Sequence, residues 1–192
     1  DIPSLKLIKK YPCVILGSSW KDEEIIAYQN IREINNISWI IAPHEIDSIK
    51  ILKIKELFGK DSVLFSEIEL EKPVPRILII DKIGVLAGLY HYSDIAFIGG
   101  GFSGKLHNIL EAASKGNFVL FGPKIKNYPE ANLMLKEKVS QIIQDSRSFK
   151  KIILELIRSP KELKEKQDKA IELVKKNRGA TKIVWKEIEK LI

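Results

Sequence analysis

A glycine-rich segment followed by polar residues gives the strongest chemical signal in this sequence. Four glycines fall within the six positions 99–104, directly after an apolar run of strand length and shortly before Asn108 and Glu111. Glycines let a backbone turn sharply and present its N–H groups without side chains in the way. Loop amides and the N-terminus of a following helix together form an anion site, most often for phosphate. The pattern therefore predicts a phosphate- or nucleotide-binding loop that includes Gly100 and Gly101.

Two nucleotide-binding motifs fit this loop incompletely. Residues 99–105 nearly match the Walker A pattern G-x-x-x-x-G-K, but Leu106 stands where the magnesium-binding Ser or Thr belongs. The loop also follows a late strand, and both departures disfavour a nucleoside-triphosphate hydrolase. No G-x-G-x-x-G pattern follows the first predicted strand, so a Rossmann dinucleotide site is not supported.

The polar residues around the loop allow more than one interpretation each. Asn108 and Glu111 have the spacing of a capping box, which satisfies the first helical amides without a ligand. The same Glu111 carboxylate is able to accept hydrogen bonds from two ribose hydroxyls. His107 and His44 are candidate phosphate donors, candidate bases or plain polar loop residues. The sequence leaves these alternatives open.

A second candidate anion site follows the first predicted strand. Ser18 and Ser19 precede a predicted helix, where their hydroxyls and amides suit either an anion or a simple N-cap. No metal site is expected, because the three histidines and the single cysteine, Cys13, have no metal-ligand spacing. Cys13 lies in an apolar run, which predicts a buried structural thiol.

Composition limits the classes of function. The chain of 192 residues has a formal net charge of +7, which favours anionic partners without identifying one. It contains no apolar run of the about 18 residues that cross a bilayer, and no signal-peptide pattern at its start. Lysine and glutamate recur at helical spacing in residues 146–192, which predicts solvated helices. Phe149 and Trp185 are the two aromatic residues of this basic stretch. They do not give the repeated stacking surface of single-strand binders, so no nucleic-acid partner is expected.

Apolar segments that alternate with helical patterns predict the architecture. Strands that are apolar throughout belong to a parallel sheet covered on both faces, so we expect a doubly wound, Rossmann-like α/β domain with extra C-terminal helices. The predicted strands are 12–16, 38–42, 63–65, 76–80, 95–98, 118–121 and, more weakly, 139–143. The predicted helices are 20–33, 45–58, one ending near 92, 108–115, 129–138 and those within 146–192. The helix over 45–58 is predicted from the spacing of Ile46, Ile49, Leu52, Ile54 and Leu57.

We expect the chain to form a single domain over 1–192, with 1–11 as a connecting segment. Ligands of doubly wound sheets bind outside the carboxyl ends of the strands. Five predicted loops converge at that edge, namely 17–19, 43–44, 81–84, 99–107 and 122–127.

Five separated segments match one known pattern. They are Gly17-Ser18 with Glu23-Glu24, Asp81–Gly84, Asp94–Gly100, His107-Asn108 with Glu111, and Phe121–Pro123 with Asn127. In this order they resemble the motifs G-S-T-x-x-x-E-E, D-T-x-G-E-L, F-V-G-G-S, G-G-H-N-x-x-E-P-A and V-x-x-G-P-x-x-x-N-F. These motifs belong to the carboxyl-terminal half of the bacterial 3-deoxy-D-manno-octulosonic acid (Kdo) transferases. The resemblance covers residues 12 to 145 in the correct order.

The resemblance implies a GT-B glycosyltransferase, in which two Rossmann-like domains face each other across a cleft and this chain is the second, nucleotide-sugar-binding one. The donor would be CMP-Kdo, and the acceptor the lipid A precursor at the cytoplasmic face of the bacterial inner membrane. The mechanism in the family is inverting and independent of metals and cofactors, with a general base in the N-terminal domain. Residues 1–11 would then be the linker from that domain. This chain alone would carry no catalytic residue and would transfer nothing.

The resemblance also implies roles for individual residues. Glu111 would hold the ribose, and Asn108 would support the phosphate end of the site. Ile83 and Gly84 would offer backbone groups to cytosine.

The resemblance places Ser18 and Ser19 near the phosphate or the sugar carboxylate of the donor. The family motif P-R-H-P is Pro43-His44-Glu45-Ile46 here, so an arginine that would pair with an anion is lost. Lys105 stands where the family has glycine, and we hypothesise that it supplies the missing positive charge.

Two other functions fit the sequence. One is a related GT-B protein that uses a UDP-sugar, or a sugar-nucleotide epimerase. The other is a non-catalytic basic module that binds nucleic acid or acidic membrane through its lysine-rich helices.

Overall fold

The computed structural model describes residues 12–69, 75–177, 185 and 188–189. Within these residues, seven strands form one sheet in which every pairing is parallel. The strands are β1 (Cys13–Ser19), β2 (Ser38–Pro43), β3 (Ser62–Leu64), β4 (Ile77–Ile79), β5 (Ile95–Ile98), β6 (Phe118–Phe121) and β7 (Ser140–Ile142). Their order across the sheet is β3-β4-β2-β1-β5-β6-β7.

The α-helices of the described residues follow the strands and cover the sheet. They are α1 (Lys21–Ile31), α2 (Ser48–Phe58), α3 (Leu86–Leu89), α4 (Ile109–Ser114), α5 (Pro129–Lys136), α6 (Ser146–Arg158) and α7 (Pro160–Lys176). The predicted strands and helices are thus confirmed with shifts of a few residues at their ends. The predicted segment 1–11 and the predicted helical residues 178–184, 186–187 and 190–192 lie outside the described residues.

Alternate residues of each strand contribute to two separate cores, one on each face of the sheet. In β1, Val14 and Leu16 pack in the core covered by α1, α2 and α6, whereas Cys13 and Ile15 pack in the core covered by α3, α4 and α5. Burying one such aliphatic side chain stabilises the fold by about 1.5–3 kcal/mol. Both faces are therefore apolar because both are covered, as the continuous apolar strands predicted.

Burial of Cys13 also follows from its place in β1. The side chain is 1% exposed, and burial together with the charge of Asp94 raises the pKa of its thiol. The prediction of a buried structural thiol is confirmed.

Helix α2 buries a different set of residues from the one on which its prediction rested. Ile51, Ile54 and Phe58 are buried, whereas Ile49 and Leu52 are 67% and 58% exposed. A single helix on a sheet buries only the stripe that faces the sheet, so the remaining apolar residues stay in solvent.

No helix within the described residues is both long and apolar enough to span a membrane.

The order of the strands reverses between β1 and β5. From β1, the chain continues outward through β2 on one side, and through β5, β6 and β7 on the other. Ligands of such sheets bind in the crevice that this reversal opens at the carboxyl ends of the two strands. The end of β1 with Trp20 (residues 17–20) and the segment that follows β5 (residues 99–107) therefore lie at the edge where a ligand is expected.

Candidate functional site

Backbone contacts fix the glycine loop against the end of β1. The Gly99 amide donates to the Gly17 carbonyl over 2.9 Å, and a Cβ on Gly99 would lie 2.0 Å from the Ser18 carbonyl oxygen. Within the loop, the Lys105 amide donates to the Gly100 carbonyl at 2.9 Å. Gly100 has φ +86°, a conformation that L side chains rarely adopt. Glycines are required here because the two loops touch through their backbones.

A buried carboxylate joins the two loops. Glu23, in the first turn of α1, is 1% exposed and accepts hydrogen bonds from the amides of Gly100 (3.1 Å) and Trp20 (3.0 Å). Burial raises the pKa of Glu23 to about 7, against the lowering effect of these amide donors. The Gly100 amide therefore serves an internal carboxylate, contrary to the expectation that it faces a bound anion.

The second acidic residue of α1 uses the Ser19 hydroxyl. Ser19 is fully buried, and its Oγ donates to Oε1 of Glu24 over 2.9 Å. Burial raises the pKa of Glu24, and the Ser19 hydroxyl opposes this effect. The Ser19 side chain thus points into the protein, contrary to the expectation that it meets phosphate, because a buried carboxylate needs a donor. Ser18 is half-buried and has φ +49°, a strained conformation for a residue other than glycine.

Three aromatic rings from three segments meet at the crevice. Trp20 and His44 stack with ring centroids 5.2 Å apart and planes 9° apart, and His44 and His107 have centroids 4.4 Å apart. The indole N–H of Trp20 donates to Nε2 of His107 over 3.0 Å. The Lys105 ammonium lies 5.6 Å from the centroid of the Trp20 ring. The predicted site residues His44, Lys105 and His107 are therefore brought together, around a tryptophan that the prediction did not include.

Helix α4 begins beside this cluster with one half of the predicted capping box. The Asn108 side chain accepts hydrogen bonds from the amides of Leu110 (3.0 Å) and Glu111 (3.3 Å). The Glu111 carboxylate makes no hydrogen bond to any described residue, so it does not complete the capping box. The pKa of the Tyr90 hydroxyl is raised, first by the burial of Tyr90 and second by the charge of Glu111; this hydroxyl lies beneath Gly17. Glu111 is therefore a half-buried carboxylate that remains available for a ligand.

The loop after β4 carries the residues predicted to meet the base. Ile83 is 81% exposed, and Gly84 is exposed with φ +86°. Asp81 accepts a hydrogen bond from the Ser66 amide at 3.0 Å and helps to line a cavity of about 560 Å³ at the same edge of the sheet. This loop is therefore open to solvent at the carboxyl edge.

Comparison with known proteins finds matches that cover most of this chain. No model of a protein family matches the chain. A bifunctional glycosyltransferase/methyltransferase of Fusobacterium nucleatum subsp. nucleatum is 30% identical over 148 residues, which are 72% of this chain and 22% of that protein. The crystal structure of the C-terminal CMP-Kdo binding domain of WaaA from Acinetobacter baumannii matches with a TM-score of 0.75 at 19% identity, covering 86% of this chain and 90% of that one.

A second relative decides the identification. The 3-deoxy-D-manno-octulosonic acid transferase of Chlamydophila psittaci is 26% identical over 163 residues, which are 82% of this chain and 37% of that enzyme. The chain is a relative of the Kdo transferases. It spans 22% and 37% of the lengths of these two curated relatives. The predicted α/β fold of the GT-B type is confirmed by the structural match.

In this Kdo-transferase relative, the sequence located the loops but missed three side chains that organise them. Trp20 contributes a ring to the crevice, and the buried Glu23 and Tyr90 lie beneath its loops; none of the three was predicted there. The sequence did contain a signal for Glu23 and Glu24. Two acidic residues in the first turn of a helix are typical of residues that complement the helix dipole, but both are buried here. The Trp20–His107 contact joins residues 87 positions apart, and no local pattern indicates it.

Proposed function

We propose that this chain is the donor-binding part of an inverting Kdo transferase, which binds CMP-Kdo and releases CMP. The observation that carries the proposal is the crevice between β1 and β5. There the glycine loop and the Asn108-capped helix lie together with the Glu111 carboxylate, to which no residue of the described part of the chain donates a hydrogen bond. The structural similarity of this chain to the C-terminal CMP-Kdo binding domain of WaaA supports CMP-Kdo as the donor.

The chemistry of the crevice suits a departing nucleoside monophosphate. When CMP leaves, negative charge grows on its phosphate, and fixed donors and cations stabilise that charge. Lys105 supplies a cation, and His107 a polar ring, at the phosphate end. The two oxygens of Glu111 accept the two ribose hydroxyls. The exposed backbone at Ile83 and Gly84 is free to pair with the edge of cytosine.

The rest of the reaction is assigned to parts outside this chain. We propose that an N-terminal domain binds the lipid A precursor and supplies the general base, at the cytoplasmic face of the bacterial inner membrane. No metal or cofactor is required for this reaction. On its own, this chain is expected to bind CMP and to transfer no sugar.

Calorimetric titration of this chain with CMP, UMP and UDP tests the proposed donor. We expect CMP to bind at least about tenfold more tightly than UMP or UDP, a difference of about 1.4 kcal/mol. Replacing Glu111 with alanine should weaken CMP binding by about tenfold or more, because hydrogen bonds to a charged group contribute about 1.5–3 kcal/mol.

Glu56→Ala is the matched control for Glu111→Ala. Glu56 is exposed near the C-terminal end of α2, at the edge of the sheet opposite the crevice, so its removal should leave CMP affinity unchanged. Equal affinity for CMP and UDP would instead support a UDP-sugar enzyme. Salt-dependent binding to DNA or anionic vesicles, with no response to nucleotides, would support a basic interaction module.

Replacing Lys105 with alanine should weaken CMP binding about threefold to tenfold, because the variant lacks the screened attraction between the exposed ammonium and the phosphate. The measurement is the same titration at low and at physiological salt, and the effect should be smaller at physiological salt. Lys60→Ala, an exposed lysine just after α2, serves as the charge-matched control. If Lys105→Ala and Lys60→Ala bind CMP equally well, the proposed role of Lys105 is wrong.

A further inference from the structure

His107 is held in one protonation pattern by its neighbour Trp20. An indole N–H is only able to donate a hydrogen bond, and it lies 3.0 Å from Nε2 of His107. Nε2 must therefore carry a lone pair, and the proton of the neutral imidazole sits on Nδ1. A charged imidazole has a proton on both nitrogens and would lose this bond.

The second ring nitrogen of His107 is accessible. Nδ1 makes no hydrogen bond to any described residue, and it is not among the buried polar atoms of those residues that lack a partner. Solvent or a ligand therefore reaches it. The ring is anchored through its backbone as well, because the His107 amide donates to the Gly99 carbonyl at 3.1 Å.

The charged and titratable groups around His107 come from three segments. His44, after β2, has its ring centroid 4.4 Å away, and Lys105 precedes His107 on the same loop. Glu23, on α1, is held at the Gly100 amide. Burial and the nearby His44 ring both lower the pKa of His107. Of these neighbours, His44 disfavours a charged His107, and the bond from Trp20 acts in the same direction.

We propose that Trp20 is a positioning residue, which fixes His107 as a neutral imidazole with its proton on Nδ1 and so makes it a neutral donor to the anionic part of the bound nucleotide. The donor role rests on the proposed function, whereas the fixed protonation pattern does not. The consequence is an anion contact that does not change with pH near neutrality.

Nitrogen NMR of the histidine-labelled chain tests the fixed protonation pattern directly. In the wild-type chain at pH 7, we expect a protonated Nδ1 and an unprotonated Nε2 for His107. Exposed His91 is the internal reference. Trp20→Phe keeps an aromatic ring against His44 but removes the indole N–H. In this variant, His107 should shift toward the Nε2-protonated form and its pKa should rise.

The nucleotide is added in a second step, so that the two parts of the proposal fail separately. Adding CMP to the wild-type chain should shift the Nδ1 resonance of His107 more than that of His91. In Trp20→Phe, CMP affinity should increase as the pH falls from 8 to 6 more steeply than in the wild type, because His107 now becomes charged in that range.

The overturning results are distinct. A wild-type His107 that is protonated at Nε2 or charged at pH 7 refutes the fixed pattern, whether or not Trp20→Phe folds. An unchanged His107 spectrum in a folded Trp20→Phe refutes the role of Trp20. If CMP binds without moving the His107 resonances, the donor role is refuted. If CMP does not bind at all, the proposed function fails while the NMR result on Trp20 and His107 stands.

Discussion

Replacing Gly100 with alanine is expected to destabilise the protein by roughly 2–4 kcal/mol, from the cost of a left-handed side chain and of forced overpacking. It is also expected to abolish CMP binding. Gly100 has φ +86°, and an added Cβ would lie 2.0 Å from the Lys105 carbonyl oxygen and 2.6 Å from its carbon. Both are backbone atoms, so the loop has to move as a whole to relieve the clash. That movement would separate the Gly100 amide from Glu23.

Gly104→Ala is a matched control in the same loop. Gly104 has φ +81°, but its added Cβ would meet only the Cβ of Lys124, at 3.9 Å. Gly104→Ala should therefore lower the free energy of unfolding by only about 1–2 kcal/mol, which is the cost of an L side chain in a left-handed conformation. Urea denaturation followed by circular dichroism, together with CMP titration, compares the two variants. Equal destabilisation would show that the close contact at Gly100 contributes nothing.

The second large effect is a loss of stability as the pH rises through the titration of Glu23. The folded-state pKa of this carboxyl is about 7, against an ordinary value of 4.5. Below pH 4.5, Glu23 is protonated in both states and the stability is fully present. Between about pH 4.5 and 7 the unfolded chain ionises first, so the folded state binds more protons and the free energy of unfolding falls with rising pH. The total loss is about 3 kcal/mol by pH 8.

The measurement is the free energy of unfolding in urea from pH 5 to pH 8. Glu23→Gln should be less stable than the wild type at pH 5 by about 1–3 kcal/mol. In this variant, the NH2 group of the glutamine side chain faces one of the two backbone N–H groups that donate hydrogen bonds to the Glu23 carboxyl. Its stability should also change less between pH 5 and pH 8 than that of the wild type. Part of the slope should remain, since burial also raises the pKa of Glu24.

Glu24→Gln is the matched control, and it should retain the portion of the slope that belongs to Glu23. The cause assigned to the slope is wrong if the wild type and Glu23→Gln change in parallel over this pH range. A parallel change would mean that Glu23 is solvated, in contrast to its 1% exposure.

Local sequence patterns predicted most of the elements for a simple reason. Each strand is apolar along its whole length because both faces of the sheet are covered, and this alone indicates a parallel α/β arrangement. In such a sheet, the segments at the ends of the strands must meet at one edge, so the five candidate segments were assigned to that edge without knowledge of the strand order. Residues 17–19 and 43, which were predicted as loops, are the last residues of β1 and β2. Asn108 was also predictable, since an N-cap depends only on the residues that immediately follow it.

The buried face of α2 marks the limit of such patterns. Apolar spacing correctly predicted a helix, but it did not separate the buried Ile51 and Ile54 from the exposed Ile49 and Leu52. Which stripe is covered depends on the angle at which the helix crosses the sheet, and that angle is set by residues elsewhere in the chain.

The sequence by itself determined the fold class, the edge of the sheet at which a ligand is expected, and the glycine loop with its capped helix. Only the tertiary structure decided which hydrogen-bond partner each polar side chain has at that edge. Glu23 meets Gly100 across 77 residues, and Trp20 meets His107 across 87. Both contacts exist because β5 pairs with β1, although three strands and three α-helices separate these two strands along the chain. Strand order arises from the packing of the whole sheet, and so the partners of the buried carboxylates and histidines cannot be read from local spacing.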